Sequence, residues 1–238
     1  MVSLKRQIYG LPMLRPYRLW RARKIAQQPR PVREGFSLAS YDMAFDEDWE
    51  RHERATVSRL LPDCAALIDV GANNGFYSLL ASHLGKPAVA VEPDAGNLIV
   101  LRQNVARADV EVFAGALSDK AGTVELYGDG DTASLDPNWQ GVYRHFRQSV
   151  PSITLDQLIG DRWIGERLFI KVDVEGAEGK VLRGATATLT RNPKPYWLIE
   201  TFPKLATGAP NPAFAETHRL MSEYVADEIS HGNFMFSA

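Results

Sequence analysis

The sequence has little of what defines several protein classes. A single cysteine, Cys64, among 238 residues excludes an internal disulfide and a multi-cysteine metal site, and it suits a reducing compartment. No apolar run approaches the ~20 residues that a membrane-spanning helix needs. The basic start of the chain leads into an apolar stretch that Gly10 and Pro12 interrupt, which is atypical of a signal peptide. We therefore expect a cytoplasmic protein.

Strong net charge is also missing, since the formal charge is -2 at pH 7. A general nucleic-acid binder is usually strongly basic, so we expect no nucleic-acid partner. Residues 1–33 differ from the rest because they hold nine of the 27 Lys and Arg residues and no Asp or Glu. We divide the chain into a basic N-terminal appendage, residues 1–45, and a main domain, residues 46–238.

Apolar and aromatic residues, among them Trp20, interleave with the basic residues of 1–33. A helix of this composition can lie on an anionic membrane surface, here the inner face of the membrane. It can equally pack on its own domain or on a second subunit of a homodimer. The sequence leaves these three alternatives open.

Short apolar strands alternate with helical patterns through the main domain. Strands are predicted at residues 66–70, 87–91, 110–114, 168–172 and 196–200, and helices at 46–61, 75–84, 95–107 and 178–189. This alternation is typical of a mostly parallel sheet that is covered by helices on both faces. Ligands bind such sheets beyond the carboxyl ends of the strands, where the strand order reverses.

Three further segments surround this alternating pattern. Residues 117–127 predict a β-hairpin with its turn at 119–122, and residues 223–236 predict another at 231–233. Residues 128–150 are polar, Gly-rich and irregular, which makes them a candidate lid over a ligand site.

A glycine turn follows the first strand, and two glycines four positions apart let a ligand approach the backbone closely. We predict ligand contacts at Asp69, Gly71, Ala72, Asn73, Gly75 and Phe76. A dinucleotide-binding turn has glycine where Asn73 stands, which disfavours an NAD-dependent oxidoreductase. No Lys-Ser/Thr pair follows, so a P-loop is excluded as well. Plain strand-to-helix packing remains an alternative for the turn taken alone.

The next two strands also end on ligand-binding patterns. Glu92 and Pro93 end the second strand, where a carboxylate can accept hydrogen bonds from both ribose hydroxyls; an exposed surface glutamate is the alternative. The third strand is followed by small residues and backbone amides that can flank an adenine ring, or that form a plain turn. These residues are Ala116, Leu117, Ser118 and Asp119.

Ionisable residues crowd the end of the strand at 168–172. Lys171, Asp173, Glu175 and Glu178 lie within eight positions, and like charges at a buried strand end cost free energy unless they are used or paired. We predict that Asp173, Lys171 and Glu175 are catalytic. Glu178 falls in the first turn of the following helix, where it can cap the helix instead.

Together these motifs resemble the FkbM-type methyltransferase family, from about residue 53 to the C-terminus. The resemblance rests on residues 68–75, 91–93, 116–118, 154–156 and 171–178, with 182–185 behind them. It implies an α/β, Rossmann-like class I S-adenosylmethionine (SAM) methyltransferase fold. The sheet would be mostly parallel and seven-stranded, with an antiparallel last strand and helices on both faces. The implied cofactor is SAM, and the implied reaction is methylation of hydroxyl groups.

The resemblance also implies positions for the cofactor. The methionine part of SAM would border Asp69, Gly71, Asn73 and Gly75, and its ribose would bind Glu92. The adenine would lie near residues 116–119.

The methyl-transfer centre would face Asp173, which we expect to contact SAM and either to act as the base or to orient the acceptor, with Glu175 and Lys171 tuning it. Family members often carry a histidine soon after the glutamate of the fifth strand, whereas Thr201 follows Glu200 here. Asp173 and Glu200 together could hold a divalent metal. No third ligand is evident in the sequence, so we expect no metal.

Three readings of the function follow. The first is an O-methyltransferase that acts on a small-molecule or glycan hydroxyl, in a sugar, glycan or glycolipid precursor. The second is the same chemistry on a polyketide or peptide natural product. The third, a non-catalytic SAM- or nucleotide-binding module, predicts a degraded site, whereas the glycine turn, Glu92 and Asp173 are all present.

Overall fold

The computed structural model describes residues 14–46, 48–139, 142 and 144–238. The first part of the basic segment, residues 1–13, therefore lies outside the described residues. The helices are α1 Arg15–Ala26, α2 Arg51–Leu60, α3 Phe76–His83, α4 Ala95–Asn104, α5 Leu155–Ile159, α6 Glu178–Arg183, α7 Thr186–Leu189 and α8 Pro212–Leu220. The strands are β1 Arg30–Pro31, β2 Ser37–Leu38, β3 Ala66–Val70, β4 Ala88–Val91, β5 Val110–Phe113, β6 Ala116–Leu117, β7 Gly122–Tyr127, β8 Arg147–Ile153, β9 Leu168–Val172, β10 Tyr196–Glu200, β11 Val225–Ser230 and β12 Asn233–Ser237.

Seven strands form the central sheet, in the order β11-β12-β10-β9-β3-β4-β5. β12, the last strand of the chain, pairs antiparallel with both of its neighbours, and the strands from β10 to β5 are parallel. The tail hairpin places β12 there, because His231 and Gly232 turn the chain directly back from β11. The predicted seven-stranded sheet with an antiparallel last strand is confirmed.

The two faces of the sheet each bury an apolar cluster. Along β9, Ile170 and Val172 face one cluster and Phe169 faces the other, as the two-residue period of a strand requires. All five residues of β9 are buried. Burial of a large aliphatic side chain contributes roughly 1.5–3 kcal/mol, so both faces stabilise the sheet.

A separate three-stranded sheet corrects one prediction. The hairpin expected at residues 117–127 does not form, because β8 lies between β6 and β7 and pairs with both of them. The strand β8 comes from the segment predicted to be irregular. The residues on one face of β8 are exposed, whereas Val150 and Ser152 on the other face are buried. The strand therefore packs this second face against the domain.

The predicted helix at 178–189 is divided into α6 and α7 at Gly184. A Cβ atom at Gly184 would lie 2.2 Å from the carbonyl oxygen of Ser118, so close packing against that carbonyl fixes the break. The helices α5 and α8 were not predicted, and α2 begins at Arg51 rather than at residue 46.

The N-terminal helix α1 packs against α4. Its buried residues Ala22 and Ala26 contact Val100 and the partly buried Ile99, which is the packing on its own domain that the sequence left open. Leu38 joins an apolar cluster of the main domain. The domain division at residue 45 stays a prediction. Within the described part of the chain, no helix combines the length and the apolar character needed to cross a membrane.

Candidate active site

A cavity of about 460 Å³ opens at the carboxyl ends of the central strands. It lies beyond β3, β4, β9 and β10, around the position where the strand order reverses between β3 and β9. This is where ligands bind in open parallel sheets, and the volume is that of a small-molecule site.

The glycine turn forms one wall of the cavity. Gly71 has φ 84° and a Cβ atom there would lie 1.8 Å from the carbonyl oxygen of Asp173, so only glycine fits. Asn73 adopts the left-handed conformation with φ 51° and lines the cavity. Gly75 lies outside the lining, at the start of α3, where a Cβ atom would meet Leu101 at 2.5 Å.

Three of the predicted contact residues support this turn from behind. Asp69 is buried and accepts hydrogen bonds from the backbone N–H (3.1 Å) and the hydroxyl (2.7 Å) of Ser78. Ala72 and Phe76 belong to the apolar cluster under the turn. None of the three lines the cavity.

Glu92 connects the glycine turn to α4. Its Oε2 accepts a hydrogen bond from the backbone N–H of Asn73, and its Oε1 accepts one from the backbone N–H of Asp94, each at 2.8 Å. Burial, followed by the charge of Asp94, raises the pKa of Glu92 to about 8. Each carboxylate oxygen has a second lone pair, so Glu92 can also accept hydrogen bonds from a ligand in the cavity.

The predicted adenine-binding residues, 116–119, separate into two groups. Ala116 and Leu117 line the cavity, as does Pro93, the predicted cofactor contact next to Glu92. Ser118 is buried outside the lining, and Asp119 is exposed and forms an ion pair with Arg183 at 3.7 Å.

Lys171 and Asp173 form a buried ion pair at the end of β9, with 2.8 Å between Nζ and Oδ2. Burial lowers the pKa of Lys171, but the charges of Asp173, Glu50 and Asp69 outweigh burial and the pKa is raised. Burial raises the pKa of Asp173, but the ammonium group of Lys171 and hydrogen bonds outweigh it, so that the pKa is lowered. Asp173 therefore stays ionised.

Glu175 and Glu200 complete a carboxylate cluster with Asp173, since one oxygen of each lies within 4.8 Å of the others. The charge of Asp173, followed by burial, raises the pKa of Glu200 to about 10. Glu200 thus carries a proton and donates a hydrogen bond to Asp173. Burial, then the charge of Asp173, raises the pKa of Glu175 to about 7.

Glu175 is the third carboxylate of the cluster. The sequence did not predict its position beside Asp173 and Glu200. Three carboxylate oxygens can hold a divalent cation, but Asp173 is already paired with Lys171 and with Glu200. The expectation of no metal stays a prediction.

Several cavity residues were missed because they come from distant parts of the chain. Tyr41, Trp49 and Glu50 reach the cavity from before β3, and residues 130–133 and Leu135 reach it from the segment between β7 and β8. Only the second group had a sequence signal, since 128–150 was predicted as a lid.

The strand order, and the glycine turn facing an acidic residue at the end of the next strand, are those of class I SAM-dependent methyltransferases. The family model described as "Methyltransferase FkbM domain" matches residues 69–226, and the chain belongs to this family. It therefore contains a SAM-dependent methyltransferase domain, and SAM is the cofactor of this class. No curated protein matches the sequence.

Several solved structures are similar to the chain at low identity. Monomeric WbdD is 14% identical with a TM-score of 0.45, over 84% of this chain and 42% of that chain. The Thermus thermophilus 16S rRNA N2 G1207 methyltransferase RsmC, in complex with AdoMet and guanosine, is 11% identical with a TM-score of 0.46, over 88% and 49%. Precorrin-6y C5,15-methyltransferase from Geobacter metallireducens is 13% identical with a TM-score of 0.42, over 77% and 84%. The chain spans less than half the length of the first two.

Proposed function

We propose that the protein is an O-methyltransferase that uses SAM to methylate a hydroxyl of a sugar, a glycan or a glycolipid precursor. The observation that carries the proposal is the carboxylate cluster of Asp173, Glu175 and Glu200 beside the glycine turn. A hydroxyl acceptor donates a hydrogen bond and must lose its proton. A cluster with one ionised and one titratable carboxylate supplies both functions.

The residues on the cofactor side of the cavity fit SAM. Glu92 has free lone pairs for the ribose hydroxyls, and Gly71 and Asn73 expose backbone to the cavity. Ala116 and Leu117 offer an apolar surface to the adenine. When bound, SAM supplies a methyl group on a sulfonium centre, a leaving group that needs no acid catalyst.

Asp173 orients the acceptor in this proposal. Lys171 keeps the Asp173 carboxylate ionised, and a carboxylate of lowered pKa is a good hydrogen-bond acceptor but a weak base. Asp173 therefore accepts a hydrogen bond from a hydroxyl of the acceptor next to the reacting one and so orients the acceptor, and Glu200, which holds its own proton, fixes the Asp173 carboxylate in place.

Glu175 takes the proton of the acceptor. Its pKa of about 7 leaves it partly ionised near neutral pH, which is where a general base works best. Its left-handed backbone, with φ 53°, costs of order 1–3 kcal/mol and holds the carboxylate at the cavity.

Calorimetric titration of SAM and a label-transfer assay test the proposal together. We expect Glu92→Ala to weaken SAM binding by about tenfold or more, because the hydrogen-bonding partner of the ribose hydroxyls and of the Asn73 backbone is lost. Asp173→Asn and Glu175→Gln should keep SAM binding while transfer of labelled methyl to sugar acceptors falls about 100-fold. Absence of SAM binding to folded wild-type protein would disprove the proposal. Wild-type turnover by Asp173→Asn would remove its assigned role.

We also propose that the protein works in the cytoplasm, at the inner face of the membrane. On α1, Tyr17 and Trp20 are 43% and 51% exposed and their rings stack at 5.8 Å. Arg23 and Lys24 occupy the last turn of the same helix. Exposed aromatic rings next to basic side chains favour an anionic lipid surface; a homodimer contact is the competing occupant of this surface.

A further inference from the structure

Glu50 reaches the active-site cavity from outside the segment that the family model matches. It precedes α2 in a left-handed backbone conformation, with φ 46° and ψ 37°, and its side chain lines the cavity. Four non-glycine residues of the described chain have positive φ, and Glu50, Asn73 and Glu175 are the three that line the cavity. The backbone at Glu50 thus shares a strained conformation with two other cavity residues.

The Glu50 carboxylate is fixed on the same side of the cavity as Asp173. The hydroxyl of Tyr77 donates a 2.5 Å hydrogen bond to Glu50 Oε2. The ring of Tyr77 lies 4.9 Å from Nζ of Lys171, which in turn pairs with Asp173. Burial outweighs the opposing charge of Lys171, so the pKa of Glu50 is raised. Glu50 and Asp173 therefore flank one lysine at the acceptor end of the cavity.

The lining of the cavity is acidic. Carboxylate residues supply six positions of it, namely Glu50, Glu92, Asp131, Asp173, Glu175 and Glu200. Among the residues that the structure describes, no Lys, Arg or His lines it, and Lys171 lies behind Asp173. A phosphate or carboxylate of the acceptor beside Asp173 would meet an ionised carboxylate and no basic residue of the described lining, whereas hydroxyl and ammonium groups there would meet hydrogen-bond acceptors.

The residues proposed to bind SAM leave the Glu50 carboxylate available to the acceptor. The hydrogen bonds that organise the glycine turn join Glu92 to Asn73 and Asp94, whereas the Glu50 carboxylate accepts its hydrogen bond from Tyr77 on α3.

We infer that Glu50 determines acceptor specificity: its carboxylate accepts hydrogen bonds from hydroxyl or ammonium groups of the sugar unit that is methylated, so that the site takes neutral or amino sugars and excludes units carrying phosphate or carboxylate. The inference rests on the proposed sugar O-methyltransferase function and names the class of its acceptor.

Three pools of methyl glycosides test the inference: neutral hexosides, the matching 2-amino-2-deoxy hexosides and the matching uronic acids. Methyl transfer from labelled SAM and NMR saturation transfer from the S-adenosylhomocysteine-loaded protein are both measured. Wild-type protein should bind and methylate a member of the neutral or amino pool and ignore the uronic acids. A preference for the uronic acids, or no saturation transfer from any pool, would overturn the inference.

Substitutions separate a specificity role from a structural one. Glu50→Gln should raise the acceptor KM about tenfold or more, change kcat less than about threefold and leave SAM affinity within about twofold, because a charged hydrogen-bond acceptor is lost only on the acceptor side. Glu50→Lys should admit the uronic acids. Weakened SAM binding with an unchanged acceptor KM would assign Glu50 to the cofactor and sink the inference.

Glu53→Gln is the matched control. Glu53 is a buried glutamate on α2 that accepts a hydrogen bond from Ser230 and lies outside the cavity lining. The acceptor KM of Glu53→Gln should equal that of the wild type. SAM titration into the wild type needs no acceptor and decides the proposed function separately, so failure of the sugar pools with intact SAM binding contradicts the acceptor inference alone.

Discussion

The indole Nε1 of Trp139 donates a 2.6 Å hydrogen bond to Oε2 of Glu175. The indole lies directly on Gly176, where a Cβ atom would be 2.2 Å from Cε3 of Trp139. The hydroxyl of Ser134 donates a 2.5 Å hydrogen bond to the backbone carbonyl of Glu175. The segment between β7 and β8 therefore holds the proposed base through both its side chain and its backbone.

Removal of the indole donor should change the pH dependence of catalysis. The hydrogen bond from Trp139 lowers the pKa of Glu175, so Trp139→Phe should raise it above about 7. Because a base must be ionised, activity rises with pH through this pKa, and the rise should shift to higher pH by about one unit. Profiles of kcat/KM against pH measure the shift. Trp163→Phe, outside the cavity lining, is the control, and an unchanged Trp139→Phe profile would refute the link to Glu175.

Two glycines with left-handed backbones should respond differently to alanine. Gly71 has φ 84° and no room for a Cβ atom, whereas Gly85 has φ 74° and no atom within 4 Å of one. Gly85→Ala should cost only the backbone strain, about 1–2 kcal/mol. Gly71→Ala should cost more and abolish SAM binding, because the ends of β3 and β9 must separate. Urea unfolding and SAM titration compare the two variants, and equal costs would contradict the steric argument.

Buried carboxylates should make the protein less stable as pH rises. The pKa values of Glu175, Glu92 and Glu200 are raised to about 7, 8 and 10. A raised folded-state pKa stabilises the fold below the unfolded value, and this stability is lost as pH climbs through the folded-state value. We expect the free energy of unfolding to fall from about pH 5 upward, by at most about 1.4 kcal/mol per pH unit for each group that is still protonated in the fold, and the contributions of Glu175 and Glu92 to this slope to end near pH 7 and 8.

Glu200→Gln tests the largest of these shifts. The amide keeps a hydrogen-bond donor to Asp173 and cannot ionise, so the decline of stability with pH should become shallower. Urea unfolding at several pH values measures the slope. Glu223→Gln, at an exposed position, should keep the wild-type slope. A Glu200→Gln slope equal to that of the wild type would mean that Glu200 does not hold its proton.

The exposed aromatic residues of α1 should govern membrane association. Flotation with phosphatidylserine-containing vesicles should recover the wild-type protein. The double variant Tyr17→Ala, Trp20→Ala should bind these vesicles about tenfold more weakly, because two interfacial rings are removed. Vesicles of phosphatidylcholine alone are the control. No flotation of the wild type, with a dimer seen by sedimentation, would assign this surface to a second subunit.

The central sheet was predictable because its signals are local. The strands β9 and β10 are short, mostly apolar runs with one charged residue each, Lys171 and Glu200, near the carboxyl end, and their predicted bounds, 168–172 and 196–200, match the structure. The tail hairpin was likewise marked by the turn residues His231, Gly232 and Asn233. Glu92 was placed beside the glycine turn because parallel strands end at one edge of the sheet.

The remaining features depend on contacts between distant residues. No local pattern shows that β8 lies between β6 and β7, since its partner Ala116 is 36 positions from Ser152. Glu50 reaches the cavity only because α2 packs near α3, and its αL backbone leaves no trace in the sequence. Asp119 stood in a plausible motif, yet its ion pair with Arg183 faces it away from the cavity.

The three-stranded sheet β6-β8-β7 hydrogen-bonds to no strand of the central sheet among the strands that the structure describes. The segment that carries Ser134 and Trp139 is attached to this small sheet at both ends. The small sheet and its connecting segment can therefore differ between relatives without a shift in the register of the central strands. One methyltransferase scaffold could in this way acquire new acceptors by recombination of a single insert.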